Sequence, residues 1–172
     1  MGEAERRKLI LLREDYARFC ALGDQHQYKK RWERGFGDFV QLIRIPGVES
    51  IGINWDDPAQ LLVGTEVIEL PDSGVVRVIG HILIKIQPPS YMLCNTTPLH
   101  SGQGNTYAHP HAKQGGVFCM TSGQQEIHNS IVDGRHSVAV AIIMKGLYLR
   151  TGTVDIGSPY SDAARSHWPA KT

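Results

Sequence analysis

Val75-Val76-Arg77-Val78-Ile79-Gly80-His81-Ile82-Leu83-Ile84-Lys85-Ile86, followed by Gln87-Pro88-Pro89, is the stretch that decides the fold. Val76, Val78, Gly80, Ile82, Ile84 and Ile86 recur every second position, so an extended chain puts them on one face. Pro88-Pro89 ends the run, because proline has no N–H to give to a ladder. Upstream, Leu61 to Leu70 is another apolar, β-branched run, closed by the turn residues Pro71-Asp72-Ser73-Gly74. Further strands are predicted at Phe39 to Ile45, ended by Pro46-Gly47, and at Ser50 to Trp55, ended by Asp56-Asp57-Pro58. Ser90 to Cys94 is one more short strand. From these five candidates an antiparallel, four-stranded meander is predicted.

The flanks have a different period. Leu9, Leu12, Tyr16 and Phe19 recur three and four apart, which predicts a helix over residues 3 to about 22, stopped by Gly23-Asp24. Its other faces carry Arg6, Arg7, Arg13 and Arg18 beside Glu3, Glu5, Glu14 and Asp15. After the meander, Asn95 to Ala108 is polar and glycine-containing and is predicted as an exposed loop. Ser122 is placed to cap a helix reaching about Val132, and Asp133-Gly134 breaks it. A second helix is predicted from His136 to Arg150, with Val140, Ile143, Met144 and Leu147 inward and Gly152 as its cap. Gly157-Ser158-Pro159 is a turn, and Tyr160 to Trp168 a last short helix. Strands and helices in separate blocks predict an α+β fold.

Composition narrows the function classes. A chain of 172 residues, 41% apolar and 20% charged, supports one globular domain with its own core. A formal charge of +1 argues against electrostatic capture of nucleic acid. No apolar run approaches the ~20 residues of a membrane-spanning helix, and the N-terminal residues do not have the pattern of a signal peptide. Cys20, Cys94 and Cys119 are too few and odd in number for a disulfide scaffold. They suit a reducing, cytoplasmic setting. Cys20 and Cys94 are expected to pack, Cys20 on the apolar side of the first helix and Cys94 at a strand end.

The chemistry concentrates at His109-Pro110-His111, followed by Gly115-Gly116 and Cys119-Met120. Pro110 fixes its own φ and restricts His109, giving a rigid entry. Gly115-Gly116 lets the chain turn back toward Cys119. One thiol thus stands at a fixed loop distance from a rigid element.

In this order of parts the chain resembles the ubiquitin-conjugating enzyme (E2) family. An N-terminal helix precedes a strand meander. The long strand runs into Pro88-Pro89, and His109-Pro110-His111 resembles the family's His-Pro-Asn. Cys119 stands where the acceptor cysteine stands, ten residues after the motif's His, with helices beyond. The resemblance spans roughly residues 5 to 168. It implies a single UBC-like α+β domain over 1–172, with a loop insertion at about 95–108. His111 in place of Asn, the insertion, the unfamiliar segment 121–134 and the lack of an acid directly at Pro159 imply a divergent bacterial or phage-type member. Bacterial gene sets of this kind are associated with antiviral defence.

The resemblance implies thioester transfer with no cofactor. Cys119 would take a ubiquitin-like modifier from an E1-like activating enzyme and pass it to an amine or thiol of a protein substrate. His111 would donate a hydrogen bond to the oxyanion or hold the loop. His109 and Pro110 would support it. Asp155, Ser158 and His136 would orient or deprotonate the acceptor amine, and Arg6, Arg7 and Arg13 would dock the activating enzyme.

Two other readings of the motif stand beside this one. His109 and His111 form a His-x-His pair that binds metal in other proteins, with Cys119 or His128 as a third ligand. The Glu of a cupin and the Ser and Asp of a JAMM protease are absent from their places. The chain could also be an E2-like binding module without thioester chemistry.

Overall fold

A computed structural model describes residues 2–21, 38–54, 60–100, 106–112, 115–118, 123–148 and 168–172. The structure is α+β. Helix α1 (Glu3–Cys20) precedes strands β1 (Val48–Asn54), β2 (Gln60–Asp72), β3 (Val75–Gln87) and β4 (Ser90–Asn95). These pair antiparallel in the order β1-β2-β3-β4, the expected meander. Strands β5 (Leu99–His100) and β6 (Thr106–Tyr107) pair with each other, and helices α2 (Gln124–Val132) and α3 (His136–Leu147) follow.

The β2–β3 hairpin sets the register. Asp72 pairs with Val75 across a two-residue turn, Ser73-Gly74, in which both residues have positive φ, 50° and 86°. That is a type I′ turn, whose twist matches that of the strands. Two bulges then interrupt the ladder. On β2 an extra residue falls between Gly64 and Val67, and on β3 Ile79 is extra between Val78 and Gly80. The buried positions change phase in step, from Leu61, Val63 and Thr65 to Ile68 and Leu70 on β2, and from Ile86, Ile84 and Ile82 to Ile79 on β3. Because each strand has one extra residue, the second bulge restores the pairing that the first displaced, and one face stays buried along both strands.

This corrects the single alternating face predicted for Val76 to Ile86. Val76 is exposed and Val78 only half buried, whereas Ile79 is in the core. Gly80, at φ 97°, absorbs the change of phase in a conformation that side chains disfavour.

Residues 38–43 are helical, not the strand predicted at Phe39 to Ile45. Phe39, Leu42 and Ile43 are buried while Gln41 and Arg44 are exposed, the spacing of a helical turn. Asp38 accepts hydrogen bonds from the Ser137 N–H, at 2.9 Å, and the Ser137 hydroxyl, and so ties this turn to the start of α3.

The inner face of the sheet packs on α2 and α3. Ile127 and Ile131 from α2 are buried, and so, as predicted, are Val140, Ile143, Met144 and Leu147 from α3. Leu9 of α1 packs against the edge of this core, while Ile10 and Leu11 are exposed. At the hairpin end, beyond the reach of β4, the Val78 N–H donates to Pro169 and the Lys171 N–H to Val76. Trp168 is thereby buried against the sheet.

Some boundaries differ from expectation. Helix α2 is preceded by Gly123, at φ 100°, as its cap residue, and α3 ends at Leu147 with Tyr148 as its cap residue. The span 95–108 is not a plain exposed loop: the β5–β6 hairpin lies within it and Ala108 is buried. Trp55, Cys119, Ser122, Gly152, Asp155, Ser158 and Pro159 lie outside the described residues, as do all but Trp168 of the predicted helix 160–168. No helix among the described residues is long and apolar enough to cross a membrane.

Candidate active site

The His-Pro-His element sits in the core. His109 is fully buried, Pro110 is buried and His111 is half buried. The His109 Nε2 lies 2.9 Å from the carbonyl oxygen of Leu147, the last residue of α3. That carbonyl is one of the acceptors a helix leaves open at its C-terminus. The His109 Nδ1 accepts the N–H of His111 at 3.1 Å. A carbonyl can only accept and an N–H can only donate, so the partners fix the neutral Nε2–H tautomer.

Burial is the main cause of a His109 pKa lowered to about 3. An imidazolium here would lose its hydration. The Leu147 carbonyl opposes the shift and His111 adds to it. With both ring nitrogens committed to backbone groups, His109 has no lone pair to offer a metal. No cluster of three metal-ligating side chains forms among the described residues.

From His111 the chain forms a closed loop. Ala112 pairs with Phe118 across it, and the Ala112 N–H returns to the His109 carbonyl at 3.0 Å. Phe118 packs edge-on against the His109 ring, with centroids 5.2 Å apart. Gly115 and Gly116 both have positive φ, 95° and 81°. The Gly116 carbonyl accepts the Leu93 N–H at 2.7 Å, which docks the loop on the outer edge of β4. A side chain at 116 would run into the Leu93 backbone, whereas one at 115 would meet open space.

Three residues not singled out from sequence complete the support. The Asn95 amide donates to the carbonyls of Ile79, at 2.8 Å, and Ala108, at 2.9 Å. It therefore ties the bulged residue of β3 to the residue before His109, and Gly80 in the bulge lies alongside it. The Tyr91 hydroxyl accepts the Phe118 N–H at 3.3 Å, and the Gln124 amide donates to the Phe118 carbonyl at 2.5 Å. Gln124 also donates to the Tyr91 oxygen at 3.1 Å. Burial raises the Tyr91 pKa, so its hydroxyl stays protonated. An asparagine at the end of a predicted strand was the one signal in sequence for Asn95; nothing in sequence pairs Tyr91 with Gln124.

The remaining predicted residues are dispersed. His136, the first residue of α3, is buried with its ring stacked on Phe39, 6.3 Å between centroids. Arg6, Arg7 and Arg13 are exposed on α1. His128 is exposed on α2. Cys94 is a free, half-buried thiol on β4 opposite Leu83. It borders a groove of about 240 Å³ between β4, the β5–β6 hairpin and Gly115-Gly116.

This arrangement can present the segment that begins at Cys119 from a rigid base. Phe118, the residue before the thiol, is buried and held at its N–H, its carbonyl and its ring. Compared with known proteins, the chain matches no family model, no curated protein and no solved structure.

Proposed function

We propose that the chain is a UBC-like conjugating transferase, which carries a ubiquitin-like modifier as a thioester on Cys119 and passes it to an amine or thiol acceptor. The observation that carries this reading is the anchored loop. It starts at a His109 locked to the end of α3 and closes at a clamped Phe118, one residue before the thiol. The order of helix, four-stranded meander, loop and helices supports it.

In the first step the Cys119 thiolate attacks the thioester carbonyl of the charged activating enzyme, whose own thiolate leaves. In the second, an acceptor amine attacks the new thioester, loses its proton and expels the Cys119 thiolate. His111, at the exit of the turn, supplies an N–H donor to the oxyanion of that step. His109 and Pro110 hold the turn and touch no substrate. Asp155 and Ser158 orient the acceptor. His136 has no part here, because its ring is enclosed beneath Phe39. Exposed Arg6, Arg7 and Arg13 give the activating enzyme a basic surface on α1. A reducing cytoplasm keeps the thiol free.

The test is incubation with a cognate activating enzyme, ATP and modifier, read on non-reducing gels. The expected result is a thiol-sensitive adduct, converted to a thiol-resistant one in Cys119→Ser and lost in Cys119→Ala. An adduct that persists in Cys119→Ala overturns the assignment of the thiol. Modifier binding without any adduct identifies a binding module instead.

A further inference from the structure

We propose that Tyr91 and Gln124 are positioning residues that set the reactivity of the Cys119 thiol; this rests on the thioester reading above. Two elements far apart in sequence converge on one residue, Phe118. Tyr91 reaches from β4 to the Phe118 N–H at 3.3 Å, and Gln124 reaches from the first turn of α2 to the Phe118 carbonyl at 2.5 Å. The short contact to a carbonyl assigns the Gln124 nitrogen to that side, and the Tyr91 hydroxyl meets the same amide at Nε2, 3.1 Å, and at Oε1, 3.3 Å. Phe118 and Gln124 bound the segment that carries the thiol.

Packing alone does not require these polar atoms. The Tyr91 ring is buried among apolar residues, where phenylalanine would fill the same space. A helix begins well without a glutamine at this position, since Ser, Thr, Asp and Asn are the usual capping residues and Gly123 already occupies the cap. What the hydroxyl and the amide add is restraint on Phe118. The peptide unit that joins Phe118 to Cys119 is planar, so holding its carbonyl removes rotation from the bond that leads to the thiol.

Thioester exchange depends on such restraint. The sulfur must approach the acyl carbon at roughly 3–3.5 Å in line with attack, and a displacement of about 1 Å costs up to ~100-fold in rate. Alkylation of the same thiol by a small, freely tumbling reagent has no comparable demand. It follows thiolate fraction and access.

The experiment compares these two reactions at Cys119 by peptide mapping. The probes are the charged activating enzyme, whose thioester the thiol must meet in a bound complex, and iodoacetamide. In the exchange, Cys119 gains the acyl group and the departing thiolate takes a proton from solvent. Tyr91→Phe and Gln124→Glu are each expected to lower the exchange rate about tenfold, while the alkylation rate stays within about twofold. Gln124→Asn, which keeps the donor on a shorter arm, is expected to fall between Gln124→Glu and wild type. An unchanged exchange rate in both variants overturns the proposal. A parallel fall of both rates also overturns it, because the pair would then govern only exposure. Tyr91→Phe keeps the ring, and Gln124 lies at the end of a helix, so each variant checks the other against a folding defect. Failure of the thioester reading gives a different result: the wild type itself forms no adduct with the charged activating enzyme, while iodoacetamide still alkylates Cys119.

Discussion

His109 caps the helix that ends at Leu147: its Nε2–H donates to the Leu147 carbonyl at 2.9 Å, 38 positions further along the chain. The bond ties the His-Pro-His turn to the C-terminus of α3. It also fixes the neutral tautomer, since Nδ1 accepts the His111 N–H.

Burial of this ring gives stability a pH dependence, which the Leu147 carbonyl partly opposes. The folded-state pKa of His109 is lowered to about 3, against roughly 6.5 for an unperturbed histidine. Below pH 6.5 the unfolded chain takes up a proton that the folded one does not. The stabilisation is complete above that pH and is lost as pH falls toward 3. The loss is about 1 kcal/mol between pH 6.5 and 5.5. Urea unfolding at those two pH values measures it. In His109→Gln, which keeps an N–H donor but cannot titrate, the pH dependence over this window is expected to shrink by about that amount.

Gly116→Ala and Gly115→Ala form a matched pair. Both glycines have positive φ, so both variants carry backbone strain of about 1–2 kcal/mol. At 116 the new methyl also meets the Leu93 backbone, which accepts no displacement without breaking the 2.7 Å hydrogen bond. Gly116→Ala is expected to destabilise more than Gly115→Ala in urea titrations and to speed amide exchange at Leu93. Equal effects at the two positions would show that the loop does not dock on β4.

Asn95→Ala removes the donor shared by the Ile79 and Ala108 carbonyls. The expected cost is about 1–3 kcal/mol, seen as a lower melting temperature. Asn95→Asp is expected to be as damaging at neutral pH, because its ionised oxygens would face two carbonyls. A neutral outcome in both variants would mean that the β5–β6 hairpin is held by other contacts.

His111→Ala separates the two chemical steps. Its ring lies at the exit of the turn, half buried, and its backbone N–H is already engaged with His109. Loss of the imidazole is expected to slow aminolysis of the thioester about 100-fold, the usual loss for one oxyanion donor, and to change loading several-fold less. Single-turnover discharge to free lysine measures the first and gel-based charging the second. Equal losses would assign His111 to support of the loop.

The sheet was legible in sequence because alternating β-branched residues over two long runs fit only an extended chain. Ser73-Gly74 marked the hairpin, and proline marked the end of β3. The helical turn at 38–43 was misread, since a short apolar run has the same composition in either period and only its exposed Gln41 and Arg44 reveal which. Gly80 within a strand was a visible sign of the bulge. The compensating extra residue on β2 carried no such mark. Of the candidate site, the turn at Gly115-Gly116 was anticipated from its glycines, and His109 was read as a supporting residue. Its partner Leu147, and the convergence of Tyr91 and Gln124 on Phe118, were not, because these contacts join positions whose separation no local pattern encodes.

The most direct test of the central claim is the intact mass of the charged protein under non-reducing conditions. The account predicts a species heavier than the free chain by one modifier less one water. It should be cleaved by dithiothreitol or hydroxylamine, map to Cys119, and become hydroxide-labile but thiol-resistant in Cys119→Ser. A mass increase that survives dithiothreitol in the wild-type protein, or that maps to any other residue, would contradict it.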